Sequence, residues 1–489
     1  MMGDTWRSTL GKKVTILIVT CCLAMVFLTP AGLGAQSGPE QDDMIILVDR
    51  SGSMKDEGGD PKGLARAAVD FLIDQLELAN DADKVALVLF NSVVTTIPPG
   101  GLTADKEAVR SQLKPLAEVK GNTDLEVALQ TGLQLLTKSQ GHRQMVLISD
   151  GLPEPDFSSA RAQVRFQEQA KLWGTSRNEE QKRNILQQMS QISTENILKN
   201  ELGILKENRV EIYPIALTGI EAHGEKLLRQ MALQVTQDAR AFKKISGDQL
   251  VAGLDEIVPK PVGLLNIFRA ELAASGQSSW SVNFPLDSSL ERVRVLILYQ
   301  KPPTKNISWE LKGPMGVMTA GQPGAARYLA AKDANGAGNT IFERMFLDNP
   351  QAGNYSLTFN AKGFLPPLQV IVEGRTSMRL AATAEPNPGE VQAPVILFCR
   401  LEGGADLQLH SATARIVNEG GEPSGELSFS RDPGQALKAS WTPLQPGNYR
   451  VLITGYLDPN LKRFLSTRLD LRVQPKQAVE LKLEIPVRK

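Results

Sequence analysis

Met44–Met54 reads "MIILVDRSGSM". Five apolar residues run into Asp49, and Ser51 and Ser53 follow at alternate positions. An apolar run of this length, ended by turn residues, predicts a strand buried on both faces of a parallel sheet. Three short oxygen-bearing side chains at the end of such a strand cost stability unless something partners them. The rest of the chain points to both the sheet and the partner.

Further apolar runs predict strands at Met44–Val48, Val85–Phe90, Met145–Ser149, Val210–Leu217 and Ala241–Ile245. Between them lie helical stripes. Gly63–Leu78 places Leu64, Ala67, Ala68, Phe71, Leu72 and Leu76 on one face, and Leu125–Leu136, Lys226–Val235 and Gln249–Val258 repeat the theme. Alternating strand and helix means a mostly parallel, Rossmann-like α/β sheet with helices on both faces. Sites in such sheets gather at the carboxyl ends of the strands, where Asp49 lies.

One segment breaks the rhythm. About 55 residues separate "LISDG" from "VEIYPIAL", where a crossover needs roughly a dozen. This insertion, at about 156–209, is charged and helical in pattern. Ile185, Met189 and Ile192 form one stripe, and Leu198, Leu202 and Leu205 form another. It reads as a surface excursion packed on the domain or as a lid or specificity element, since it leaves from the sheet edge that carries Asp150.

Two more strand-end motifs share the domain. "KGNTDLEVAL" puts Thr123 just before a helix, and "MVLISDG" ends a buried strand at Asp150. Asp49, Ser51, Ser53, Thr123 and Asp150 together supply two carboxylates and three hydroxyls, with no His or Cys. All-oxygen sets select hard divalent cations: Mg²⁺, Mn²⁺ or Ca²⁺. A cation offsets the repulsion of the aspartates and partners the hydroxyls. Glu154 and Asp156, just past "SDG", read as loop charges or modulators of that site.

These residues carry a resemblance. "DRSGS", "NTD" and "SDG", in that order and each after its strand or before its helix, resemble the metal-ion-dependent adhesion site of von Willebrand factor type A domains. The resemblance covers roughly Asp42 to Lys260. It implies that Ser51 and Ser53 bind the metal directly, that Thr123 and Asp150 do so directly or through water, and that Mg²⁺ is the first expectation. It further implies an open coordination position that an Asp or Glu carboxylate of a partner protein completes. The long insertion departs from the usual compact pattern, so the partner's identity does not transfer.

After Pro259–Pro261 helical stripes give way to alternating strands and Pro/Gly turns: "WSVNFPL", "RVRVLILYQ", "NISWELKG", "YSLTFNA" and "QVIVEG". The block restarts at "SMRLAAT" and runs to "RLDLRV". "NPQAGNYSLTF" and "TPLQPGNYRVLI" form a weak repeat, so Tyr355 and Tyr449 each suit a sandwich corner. The tail divides near Arg375 into two all-β sandwiches, 262–375 and 376–489, and 42–260 forms the α/β domain. Both sandwiches are similar in pattern to the Ig-like modules that follow such domains in extracellular proteins. Trp280, Trp309 and Trp441 read as core residues.

Lys plus Arg equals Asp plus Glu at 54 each, which gives no electrostatic reason for a nucleic-acid partner. At the N-terminus Arg7, Lys12 and Lys13 precede the apolar run Val14–Leu28, and Pro30 and small residues follow. This is the order of a secretory signal, 1–35, cut near Gly34 or Ala35; an uncleaved anchor is the other reading. Cys21 and Cys22 lie inside it, which leaves Cys399, in "PVILFC", as a buried small hydrophobe. The expected location is exported: periplasmic, secreted or cell-surface. Asn306 and Asn354 open N-x-Ser sequons, meaningful only in a eukaryotic secretory pathway.

Three functions suit these features. In the first, an exported adhesion module captures an acidic side chain at its metal, with the sandwiches as spacers. In the second, the domain serves as a metal-dependent subunit of a chaperone-type assembly. The third is a metal-assisted hydrolase, but His142, His223 and His410 are isolated and no Ser/His/Asp set or phosphate-cradling loop is present, so no enzyme is expected.

Overall fold

The computed structural model describes residues 41–476 except 57–59, 61–63, 114–119, 156, 158–159, 219, 221, 247–248, 262–263, 274–275, 300–306, 320–324, 330–339, 404–407, 419–422, 432–435 and 459–462. The expected signal, Asp156 and Asn306 lie outside the described residues.

Six strands build the α/β sheet: β1 (Asp42–Asp49), β2 (Lys84–Phe90), β3 (Val94–Ile97), β4 (His142–Ser149), β5 (Glu211–Leu217) and β6 (Lys243–Ile245). Their order is β3-β2-β1-β4-β5-β6. All pair in parallel except β3, an antiparallel edge hairpin on β2 that the apolar pattern did not announce. Every residue of β1 is buried, as its unbroken apolar run requires of a central strand. In chain order the helices are α1 (Ala65–Ala79), α2 (Lys106–Arg110), α3 (Leu125–Leu136), α4 (Ala160–Arg165), α5 (Gln167–Thr175), α6 (Glu179–Asn196), α7 (Leu202–Glu207), α8 (Ala222–Met231) and α9 (Leu250–Ile257). No helix among the described residues is long and apolar enough to cross a membrane.

The insertion forms α4 to α7. A wide π-type stretch, Ile197–Glu201, joins α6 to α7 without breaking the helix, and such an extra residue rotates the stripe that follows it. Ile185 and Met189 pack with Ala162 and Phe166 into a small separate core, whereas Ile197, Leu202 and Leu205 join the main core. Ile192, expected on the first stripe, is 40% exposed, and Ser193 takes the inward position. The buried positions 185, 189, 193 and 197 fall four apart, so the buried face drifts round the helix, away from 192, as it passes from the small core to the main one. Ser193 is tolerated inside because its hydroxyl donates to Glu126 Oε2 at 3.4 Å.

The tail is all β. Its first part has β7 (Leu264–Leu272), β8 (Ser279–Leu286), β9 (Leu290–Tyr299), β10 (Ile307–Gly313), β11 (Gly316–Thr319), β12 (Ala325–Leu329), β13 (Thr340–Asp348), β14 (Gly353–Ala361) and β15 (Leu368–Thr376). Its second has β16 (Arg379–Glu385), β17 (Gly389–Glu390), β18 (Val395–Glu402), β19 (Ser411–Asn418), β20 (Pro423–Ser428), β21 (Ser430–Arg431), β22 (Leu437–Trp441), β23 (Gly447–Asp458) and β24 (Arg463–Gln474). In each part a four-stranded sheet, β11-β10-β14-β8 or β16-β18-β22-β21, packs on a larger one. Phe268 stacks on Phe284 in the first sandwich, and Trp441 meets Tyr449 edge-on in the second. Tyr355 and Tyr449 donate to the carbonyls of Gln351 and Gln445, each four residues back, at 3.0 and 2.7 Å, so the weak repeat has one physical meaning at both corners. Trp309 and Trp441 are buried, while Trp280 is half-buried and stacked on Phe359. Burial pushes the Cys399 thiol up to about 12.

Two features differ from a string of beads. The larger sheets of the two sandwiches are one sheet, β12-β13-β9-β15-β7-β24-β23-β19-β20, joined through Phe464 and Asn266. The sandwich side also packs directly against the α/β domain. Leu296, Leu298, Phe342 and Ile371 leave the sandwich side and enter the α/β core, while Val293, Val295 and Ile297 face the other way. The joint carries ion pairs on buried carboxylates, Arg294 and Lys260 with Glu373 and Arg344 and Arg110 with Asp74, and a half-buried pair of Arg415 with Asp238. At the amino end of β5, Glu211 meets Arg450 and His142, and Tyr213 donates to it. Gln41–Lys489 is accordingly a single compact unit.

Candidate metal centre

In this sheet the strand order reverses between β1 and β4, so a crevice opens at their carboxyl ends. Three loops fill its rim. The first follows β1, where the Ser51 N–H donates to Asp49 Oδ1 at 2.8 Å and folds the chain back. A 3₁₀ turn, Gly52–Lys55, then brings Ser53 over the crevice, held from beneath by buried Met54. The second loop carries Thr123 at the start of α3, where Asp124 caps the helix by accepting from the Val127 N–H at 3.2 Å. The third follows β4 and carries Asp150.

The loops are tied to one another. The Gly52 N–H donates to the Gly121 carbonyl at 2.9 Å, and the Lys120 N–H to the Arg50 carbonyl at 2.9 Å. The Glu154 N–H reaches the Thr123 carbonyl at 2.7 Å. Gly121 has φ +81°, and a Cβ there would sit 2.7 Å from Ser92 Oγ, which itself accepts from the Asn122 N–H. Only glycine fits that bend.

The five expected residues lie on β1's end and on these three loops. Ser51 Oγ lies 3.0 Å from Ser53 Oγ, which donates to Asp150 Oδ1 at 3.0 Å. Thr123 Oγ1 and Ser53 Oγ both come within 4.0 Å of the position a Cβ on Gly151 would take. Asp49, Ser51, Thr123 and Asp150 are buried, while Ser53 is exposed at the mouth. One participant escaped the sequence reading. Ser149 Oγ donates to Asp49 Oδ2 at 2.6 Å and fixes the carboxylate's orientation. The signal was available: the parallel register pairs Val48 with Ile148, so the next step sets Ser149 beside Asp49.

Electrostatically the cluster suits a cation. Burial, opposed by Ser149 and reinforced by the charge of Asp150, pushes the Asp49 carboxyl up to about 7. Burial also raises Asp150. Two carboxylates whose charged forms are disfavoured, ringed by hydroxyl lone pairs, form a donor set that a hard divalent ion would satisfy. Among the described residues no three or more His, Cys, Asp or Glu are arranged to hold a metal ion by themselves, so the set depends on its hydroxyls. Of the flanking acids read from sequence, Glu154 is exposed beside the third loop.

No curated protein matches this sequence. Among solved structures, a von Willebrand factor type A protein from Catenulispora acidiphila is 12% identical with a TM-score of 0.30, over 90% of this chain and 67% of that one. The vWF domain of the type V pili tip protein Mfa5 from Porphyromonas gingivalis is 15% identical with a TM-score of 0.32, over 45% of this chain and 95% of that one. The pilus adhesin SpaC from Lactobacillus rhamnosus GG is 11% identical with a TM-score of 0.32, over 89% of this chain and 54% of that one, so this chain spans about half of it. The family model of the von Willebrand factor type A domain matches residues 44–152, which run from the first buried strand to just past Asp150. The part of the chain that carries the oxygen cluster is therefore a von Willebrand factor type A domain.

Proposed function

We propose that this protein is an exported, metal-dependent protein-binding module of adhesive type. Asp49, Ser51, Ser53, Thr123 and Asp150 would hold one divalent cation, and an Asp or Glu carboxylate of a partner would complete its coordination. The observation that carries this reading is the chain Ser51–Ser53–Asp150, closed by 3.0 Å oxygen–oxygen steps at the sheet's switch point. Two carboxylates and three hydroxyls with no nitrogen or sulfur donor form an all-oxygen set for a hard divalent ion, with Mg²⁺ the first expectation and Ca²⁺ in the same class. Mn²⁺ remains in the same all-oxygen class.

The placement of His142 supports binding over catalysis. His142 sits at the amino end of β4, engaged by Asp42 at 2.8 Å and Glu211 at 3.2 Å, on the far side of the sheet from the cluster. Export rests on the basic, apolar, small-residue order of residues 1–35, and a periplasmic, secreted or surface location follows from it.

The test is calorimetric titration of the full chain with Mg²⁺, Mn²⁺ and Ca²⁺, beside Asp49→Ala and Asp150→Ala. Saturable 1:1 binding, tightest for Mg²⁺ or Mn²⁺ and lost in both variants with their circular dichroism unchanged, is expected. Metal affinity retained by both variants would overturn the reading.

A further inference from the structure

Beside the oxygen cluster, the insertion and α8 enclose a groove of about 750 Å³. Leu152, Leu186, Leu198 and Leu227 give it apolar surface, and Arg183 and Lys226 are among its lining residues. Both cations are exposed, and among the described residues neither is held in an ion pair. Of the acids along the groove, Glu195 is engaged by Lys199 at 3.0 Å.

The groove reaches the loop that carries Asp150. Leu152 and Glu154 line it two and four residues after Asp150, and the Glu154 N–H is bound to the carbonyl of Thr123. Its inserted wall is anchored to α3, the helix that follows Thr123. Glu126, buried in the first turn of α3 three residues after Thr123, pairs with Arg165 and accepts from Ser193. One turn on, Gln130 Nε2 donates to Glu201 Oε1 at 2.7 Å. The insertion is thus a fixed wall next to the cluster.

We propose that the partner whose carboxylate reaches the metal centre lays an adjoining acidic, amphipathic segment into this groove. The inference rests on the metal-dependent reading above. Apolar side chains at helical spacing would cover the leucines, and acidic ones would meet Arg183 and Lys226. Glu195 is taken by Lys199 and Glu154 lies on the Asp150 loop, so Arg183 and Lys226, on the facing helices, are the charges that an incoming acidic side chain would match. The insertion then acts as the specificity element of the domain.

The experiment pans a display library of random 16-residue peptides on the immobilised full chain in Mg²⁺. Enriched peptides are synthesised and their Kd measured by fluorescence anisotropy on wild type, on Arg183→Glu/Lys226→Glu and on Asp49→Ala, with and without EDTA. Both charge reversals are at exposed positions, and circular dichroism verifies the fold. The expected peptides are rich in Asp and Glu with apolar residues three or four apart. They bind at least tenfold more weakly to the double charge reversal, and they also weaken in Asp49→Ala and in EDTA. Mg²⁺-dependent binding that the charge reversal leaves within twofold of wild type overturns the groove assignment and leaves the metal reading intact. Binding lost on charge reversal but indifferent to Asp49→Ala and EDTA overturns the link between the groove and the metal centre, whereas the metal reading itself stands or falls on the calorimetry above. Enriched peptides with no excess of acidic residues overturn the proposal outright.

Discussion

Arg294 and Glu373 are direct partners across the β9–β15 ladder, and their side chains form an ion pair closed off from solvent. The guanidinium also lies over the ring of Phe71 in α1, 5.0 Å from its centroid, and Nη1 approaches the Phe71 carbonyl at 3.5 Å. Lys260 takes the other oxygen of Glu373 at 2.7 Å. A buried pair of this kind stabilises little in itself, because desolvation offsets much of the attraction, but breaking it strands a charge. It makes the joint between α1 and the sandwich intolerant of any other register.

Arg294→Ala should therefore destabilise the full chain by about 3–5 kcal/mol, read from urea denaturation. The double variant Arg294→Met/Glu373→Gln, which removes both charges and keeps the volume, should recover most of that loss. A single variant as stable as wild type would mean that water reaches Glu373 in solution.

Cutting the chain after Pro261 should damage the α/β domain. The fragment 36–261 loses Leu296, Leu298, Phe342 and Ile371 from its core. It also loses Arg344 from Asp74, which is fully buried. Uncovering that apolar face should lower the thermal midpoint and raise binding of a hydrophobic dye relative to the full chain. Equal midpoints would show that the domain folds without its neighbour.

Stability should fall on the acid side through Glu373. Burial alone would raise its carboxyl, but Lys260 and Arg294 overcome this and hold it at about 2, below its ordinary 4.5. A depressed folded pKa contributes stability that is present above the unfolded value and lost as pH falls towards the folded one. Glu211 acts in the same direction: burial is again outweighed, here by Arg468 and His142. Wild type should thus lose stability between roughly pH 5 and pH 2. Glu373→Gln should start lower at pH 7 and fall less steeply over that window. Parallel curves from denaturation at each pH would remove Glu373 from the account.

Ser149→Ala should weaken the metal centre without removing a ligand. The Ser149 hydroxyl holds Asp49 Oδ2 at 2.6 Å, and outer partners that orient ligands typically carry 10–100-fold in metal affinity. Calorimetry should show Mg²⁺ binding weakened by about that factor while the fold is kept. Unchanged affinity would place the orientation of Asp49 in its bond to the Ser51 N–H alone.

Much of the site was legible because its information is local. Each oxygen sits within a few residues of the strand or helix end that aims it, and the strand periods announce those ends. Ser149 was missed although its position followed from the parallel register. Charged residues inside apolar strands, Arg294 in "RVRVLILYQ" and Glu373 in "VIVEG", were a further signal, since such groups are buried only when paired.

The α/β alternation, the placing of Asp49, Ser51, Ser53, Thr123 and Asp150 at strand and helix ends, and the β character of the tail were all legible in the sequence. All of these follow from side-chain period and from short-range backbone geometry. Only the tertiary structure decided what covers the second face of β9, that the two sandwiches share a sheet, and that the insertion walls a groove beside Asp150. An apolar run states that both faces of a strand are buried but not by what. That choice is made by surfaces far apart in the chain, where shape and paired charge act only once they are brought together.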